Sequence, residues 1–334
     1  MSDLLKSYRF REEREADWRK LDLILGKAER RGVRSLSDND MLALPRLYRQ
    51  AVSSLSVARA ISLDQNVIQY LENLCTRSYF FVYGTRTTLG ERLAQFFRRD
   101  WPNAVRAAWK PTFLSAFCFF GGATVAFILC MIDMEWFWSL QSGGLMGDRN
   151  PNATTEHLRS TLYSDATDVD GMLSAFSAQL FSNNSGVALF AFALGFMFGI
   201  PTALLVAYNG VVIGTFYALF WSRGLGFEVT GWLLIHGVTE LFGIVLAGAA
   251  GFMIGGAVAF PGDKSRLASA RDEGQSAALV AVGVIVMMFI AAILEGFGRQ
   301  LINSDLIRYA IAGTSAVLWA TYFYLPKRGQ SDHV

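Results

Sequence analysis

Cysteine and histidine are scarce in this chain of 334 residues, with three of each. Cys75, Cys118 and Cys130 lie outside the acidic stretch 135–185, and their spacing fits no metal motif. Neither a disulfide framework nor a zinc site is expected. The first forty residues are densely charged with no apolar run, so no signal peptide is expected. The chain has no nucleophile elbow, phosphate loop or dinucleotide fingerprint. Asn152-Ala153-Thr154 has the form of a glycosylation sequon, but nothing else points to a secretory pathway.

What is there is apolar length. Hydrophobic residues make up 52% of the chain, yet residues 1–110 are charged and ordinary, so the excess lies after Pro111. Segments 112–134, 186–208, 232–260, 276–297 and 306–325 approach the ~20 apolar residues that cross a ~30 Å hydrocarbon layer. A further stretch, 211–221, is set off by Asn209-Gly210 and is too short to cross alone. It reads as a tilted partial span or one arm of a re-entrant hairpin shielded from lipid by protein. Residues 172–181 keep helical spacing and are read as lying along the outer surface.

Before the spans, Phe10 to Leu25, with Trp18, Leu21, Leu23, Ile24 and Leu25 among its charges, gives one amphipathic helix. Ser37-Asp38-Asn39-Asp40 reads as the cap of a second, and Val67 to Cys75 belong to a third. In 98–110, Trp101 and Trp109 alternate with Arg98, Arg99, Arg106 and Lys110. That stretch reads either as an interfacial helix at the headgroup level or as a continuation of the first span.

The expected fold class is therefore all-α: a polytopic helical membrane protein of about six membrane segments, one short or re-entrant, with an N-terminal cytosolic helical bundle. Residues 1–110 form a cytosolic head with an interfacial helix. Residues 111–326 form a transmembrane domain with an acidic external loop, 135–185, and residues 327–334 a cytosolic tail. Charge sets the orientation. Residues 1–110 hold 20 Lys/Arg against 13 Asp/Glu, while 135–185 hold two against six. The basic residues before the first span, in the loop 261–275 and at Lys327 and Arg328 place both termini in the cytoplasm. Acids interrupt the basic residues of the head throughout, so no nucleic-acid partner is expected.

An unpaired ionisable group inside a bilayer costs several kcal/mol. His236 and Glu240 lie one helical turn apart in one span, and Glu295 lies in the next. At ~1.5 Å per residue from the loop 261–275, both carboxylates sit roughly 28–30 Å from the cytoplasmic face. Arg299 is one turn beyond Glu295, and Asn183 and Asn184 open the second span at the same outer level. Asn209 and Gly210 form an inner turn at the opposite end. Three readings of the layer stay open: a structural network, an ion or proton site, and a hydrolytic metal site. For the last, His236-x-x-x-Glu240 supplies two ligands, but His157 in the acidic loop and His333 in the tail are not convincing third ligands. No catalytic residue, metal or cofactor is assigned. The pairs Gly195/Gly199, Gly210/Gly214 and Gly251/Gly255 each place two glycines on one helix face. They allow close helix packing within one chain or in a homo-oligomer.

Together these residues resemble the stage II sporulation protein M family. The likeness runs through Phe181-x-Asn183-Asn184-x-x-Val187-Ala188 and Ala191-Phe192-x-x-Gly195-x-x-x-Gly199-Ile200-x-Thr202. It continues in Asn209-Gly210-x-x-x-Gly214, His236-Gly237-x-x-Glu240-Leu241, Ala247 to Gly251, Pro261, and Ala291 to Phe297. Upstream, Leu47-Tyr48-Arg49, Ala58-Arg59, Tyr70-Leu71-x-x-Leu74 and Arg77-x-Tyr79 look like the cytosolic extension of longer members, with Ser54 where those often have Asp. The resemblance implies a bacterial cytoplasmic (inner) membrane protein. Sporulation members act as membrane scaffolds for peptidoglycan-degrading partners. The head and the long acidic loop depart from that type, so the sporulation role is not carried over.

The expected function is a non-enzymatic scaffold in the lipid bilayer, coupling cytoplasmic protein partners to an envelope process. A transporter or channel using the His/Glu/Asn layer is the alternative, and an intramembrane metal-dependent hydrolase the third. The topology is open to a direct check. Asn150→Cys, in a variant lacking the three native cysteines, is expected to react with a membrane-impermeant maleimide in intact spheroplasts. Protection at that position would reverse the orientation.

Overall fold

A computed structural model of the protein describes residues 2–32, 35–60, 64–83, 89–141, 147–163, 172–298 and 301–325. Among these residues the protein is all-helical, with no β-strand. It divides into two compact units, Met1–Arg92 and Leu93–Val334.

The first unit is built on α1 (Ser2–Arg31), α2 (Asp38–Ala60) and α3 (Gln65–Tyr83). Trp18, Leu21, Ile24 and Leu25 of α1 share a core with Leu44, Leu47, Ala51 and Ala58 of α2 and Val67, Leu71, Leu74 and Cys75 of α3. Each set recurs at helical spacing, so each helix buries one apolar stripe. A reciprocal cap opens α2. The Asp40 amide donates to Ser37 Oγ and the Ser37 amide to Asp40 Oδ2, both at 3.2 Å, satisfying donors the helix itself leaves over. These bonds from Ser37 hold the Asp40 carboxyl below its usual range. Arg77 of α3 donates to both Glu29 oxygens and to Asp22 of α1. Those bonds, Glu29 first, hold its guanidinium above the usual value. Burial pushes the Cys75 thiol up to about 11, so it stays protonated and unreactive at neutral pH. Ser54 is buried and accepts from Arg14 at 3.4 Å.

The boundary between the units falls within α4 (Leu89–Gln95). The second unit continues through a π-helical turn at Phe96–Asp100 into α5 (Trp101–Ala107), α6 (Trp109–Ile132), and the short α7 (Trp136–Leu140) and α8 (Thr155–Ser160). The long helices α9 (Met172–Ala193), α10 (Ile200–Ser222), α11 (Gly226–Ala259), α12 (Arg266–Ile293) and α13 (Asp305–Tyr324) follow. Among the described residues, four helices are long and apolar enough to cross a membrane: α6, α10, α11, and α12 with its extension to Gly298.

Several boundaries differ from the sequence reading. The division expected at residue 110 lies at 92, because Trp101 is only 1% exposed. Its indole packs on the backbone of Gly283 and on the rings of Trp319, Tyr322 and Phe323. Trp101 is therefore a core residue of the second unit, whereas Trp109 is exposed with Lys110 over its ring. Residues 172–181 are the first half of α9, where Phe181 packs on Phe289 of α12 with centroids 6.0 Å apart. Residues 266–275, expected in a loop, are the start of α12, which Ser265 caps by accepting from the Ala268 amide at 3.2 Å.

The largest correction concerns Asn209-Gly210. The chain does not turn there. It turns after Ala193, through a 3-10 turn and two left-handed residues, Phe198 (φ 59°) and Gly199 (φ 74°), and Pro201 then enters the first turn of α10. Left-handed glycine and an N-terminal proline are the ordinary end and start of helices. Residues 211–221 are thus the second half of one unbroken helix, not a re-entrant arm. Asn209 fits there because its side chain donates to the Leu205 carbonyl at 2.8 Å.

Gly210 serves packing. A Cβ added at Gly210 would fall on the Phe119 carbonyl, one at Gly214 on that of Ala123, and one at Gly122 on that of Ala207. Helices α6 and α10 therefore meet backbone to backbone. Gly195 similarly meets the Gly251 carbonyl, and a Cβ at Gly255 would lie 2.6 Å from the Gly199 nitrogen. Because the chain turns between Gly195 and Gly199, these two do not share a helix face; both face α11 instead.

Two adjacent glycines test this packing. Gly122→Ala is expected to destabilise by about 1–3 kcal/mol, the usual range for overpacking. At Gly121 a Cβ meets nothing within 4 Å, and alanine favours the helix. Gly121→Ala should melt in detergent at or above the wild-type temperature. Equal melting of both variants would remove backbone contact as the reason for the glycines.

Candidate functional site

His236 stands ten residues into α11 (226 to 236) and Glu240 one turn later on the same face. Glu295 sits in the π-helical turn Leu294–Gly298 that extends α12. Such turns are rare and recur at functional sites. The structure brings the three side chains together. One ligand atom from each lies within 4.8 Å of the others, and His236 Nε2 is 3.9 Å from Glu295 Oε1. His236 is 4% and Glu295 7% exposed; Glu240 is half-buried.

They face a cavity of about 160 Å³, lined also by Ile213 and Phe216 of α10 and Trp232, Leu233, Gly237 and Leu241 of α11. The imidazole meets the Trp232 ring edge to face at 6.1 Å. Thr239, beside Glu240, accepts from Trp319 of α13 at 3.0 Å, which fixes the rotation of α11. An imidazole and two carboxylates in an apolar lining can share protons or hold a cation.

The other expected members stand elsewhere. Asn183 is exposed and donates to Asn184 at 3.1 Å. Neither lines the cavity. Because α9 begins at 172, it is Ser177 that reaches the level of Glu295, packing on the backbone of Gly296. Arg299 lies outside the described residues. Asn209 and Gly210 belong to the α6–α10 contact.

Sequence reasoning missed Trp232 and the segment 147–163 that packs on it. Arg149 lies over the Trp232 ring at 5.0 Å and donates to the Thr161 carbonyl at 2.9 Å. Arg223 donates to the Pro151 carbonyl. Arg308, fully buried, donates to the carbonyls of Leu162 and Ile302 and stacks on Tyr163. Burial first, then donation to Asp305, pushes the Tyr163 phenol up to about 12. These arginines fasten residues 147–163 beside the cavity wall. Arginine recurring in the short segments that flank apolar helices was the available signal.

A larger groove of about 420 Å³ lies on the first unit, lined by Arg11, Glu15, Trp18, Arg19, Asp64 and Tyr70 among others. Arg19 pairs with Glu15 at 2.7 Å. The groove is open and its charges face water, so it is a solvated surface rather than a competing site.

A family model described as stage II sporulation protein M matches residues 113–298. It spans more than half of the chain and contains His236, Glu240 and Glu295. A second model, described as a domain of unknown function, matches residues 8–84, within the first unit. No curated protein and no solved structure matches.

The trio predicts a stability effect. Breaking a buried charged pair costs roughly 3–5 kcal/mol. Glu295→Ala is therefore expected to reduce accumulation of folded protein strongly, and Glu240→Ala, at a half-buried position, less. Wild-type melting of both in detergent would show that the carboxylates are not coupled to His236.

Proposed function

The chain belongs to the stage II sporulation protein M family, and on that premise we propose that it is a bacterial inner-membrane scaffold with both termini in the cytoplasm. In this reading the first unit docks cytoplasmic proteins and the second anchors them in the bilayer for an envelope process. One observation carries the proposal. Tyr79, Phe80 and Tyr83, near the end of α3, are 52%, 67% and 63% exposed and touch one another and Tyr48 of α2. Exposed aromatic patches mark interaction surfaces, and Tyr and Phe are enriched at their cores.

The second unit supports anchoring more than transport. The cavity lining does not extend to Asn209, and Asn209 is engaged within its own helix. Glycines bring α6 and α10, and the α9–α10 turn and α11, into backbone contact.

Deleting residues 1–90 is expected to leave a membrane part that inserts, since Arg98, Arg99, Arg106 and Lys110 keep their place before α6, but that loses its cytoplasmic partners. Changing Tyr79, Phe80 and Tyr83 together to serine should give the same loss with the head present. Crosslinked affinity purification from native membranes with mass spectrometry reads both. The truncated protein in liposomes should show no ion flux above an empty control. A flux abolished by Glu240→Gln would favour the transporter.

A further inference from the structure

Two carboxylates and one imidazole converge from two helices on a single small space. Their donor atoms lie within 4.8 Å of one another, and the cavity between them measures about 160 Å³, room for an ion and more than one water at ~30 Å³ each. Like charges this close in a poorly solvated site disfavour joint ionisation unless a cation balances them. A metal ion held between the three donor atoms would be such a cation.

Chemistry narrows the cation. Magnesium and calcium take oxygen ligands. Copper(I) prefers thiolate and thioether sulfur, and the lining contains neither cysteine nor methionine. One imidazole with two carboxylates is the mixed nitrogen and oxygen set of a divalent first-row transition ion. Two ionised carboxylates also match its charge. The backbone is arranged for convergence. The i, i+4 spacing aims His236 and Glu240 from one face of α11. The π-helical turn supplies Glu295 from α12, with Gly296 letting α9 pack close behind it through Ser177. The cavity side of α11 is kept clear. A Cβ at Gly237 would meet only Leu233 and Leu241 of its own helix, at 3.6 Å and beyond.

We propose that His236, Glu240 and Glu295 bind one divalent transition-metal ion of the zinc and manganese class, with water from the cavity completing its coordination. This site is separate from the docking surface on the first unit and stands or falls without it.

The test uses the full chain purified in detergent, stripped with EDTA and then dialysed against Zn²⁺ or Co²⁺. Wild type is expected to retain about one equivalent after desalting, read by elemental mass spectrometry, and Co²⁺ should give a visible d–d band. His236→Ala and Glu295→Gln should each lower retention at least tenfold, with circular dichroism and gel filtration reporting whether the fold persists. A second measurement needs no variant: Zn²⁺ or Mn²⁺ should raise the melting temperature of the stripped wild type, whereas Mg²⁺ at the same concentration should not. A wild type that retains less than a tenth of an equivalent and melts alike with and without Zn²⁺ overturns the site. Undiminished retention in the folded triple variant His236→Ala, Glu240→Gln, Glu295→Gln overturns it equally.

Discussion

Lipid tails are as apolar as leucine, so helices in a bilayer gain little from burying leucine against leucine. What remains is dispersion between surfaces that approach closely enough, and in the second unit glycine sets that distance. Gly122, Gly210 and Gly214 bring α6 and α10 into backbone contact, while Gly195, Gly251 and Gly255 do the same where the α9–α10 turn meets α11. Helix α11 is thereby fixed along its later half, and the bond from Trp319 to Thr239 fixes its rotation nearer the middle. The direction in which His236 and Glu240 point is a consequence of those contacts, not a property of the two residues alone.

The same constraint explains what could be read from the amino acids and what could not. Long apolar runs, the amphipathic stripes of α1 to α3 and the cap at Ser37 are local features with local causes, and each was legible. The convergence of His236, Glu240 and Glu295 was legible too, because counting from a short connection between antiparallel helices fixes relative depth. Asn209-Gly210 misled because a glycine that ends a helix and a glycine that admits a neighbouring backbone look identical in sequence. Only the presence of α6 separates the two meanings. Asn183 and Asn184 were misplaced for a related reason. Depth on α9 depends on where the helix starts, and the polar residues after Met172 hid that start. Trp101 shows the converse: its flanking arginines suggested a headgroup position, but a notch at Gly283 takes it into the core.

Buried charge in the second unit is handled in two distinct ways. Arg308 is fully buried, yet its bonds to Ile302, Leu162 and Asp305 measure 2.7, 2.8 and 3.2 Å. A guanidinium so supplied is a structural staple, holding residues 162–163 against α13. Arg149 and Arg223 repeat the pattern on backbone carbonyls. These contacts are at hydrogen-bond length and satisfy the charge where it stands.

The trio on α11 and α12 follows another pattern. His236 Nε2 and Glu295 Oε1 stand 3.9 Å apart, beyond hydrogen-bond length, and a cavity lies beside them. A separation too long for direct bonding but short enough for one atom to touch both partners is the spacing expected of ligands around a third body. Three donor atoms from two helices, all within 4.8 Å of one another beside that cavity, are the physical reason to treat the trio as a binding site.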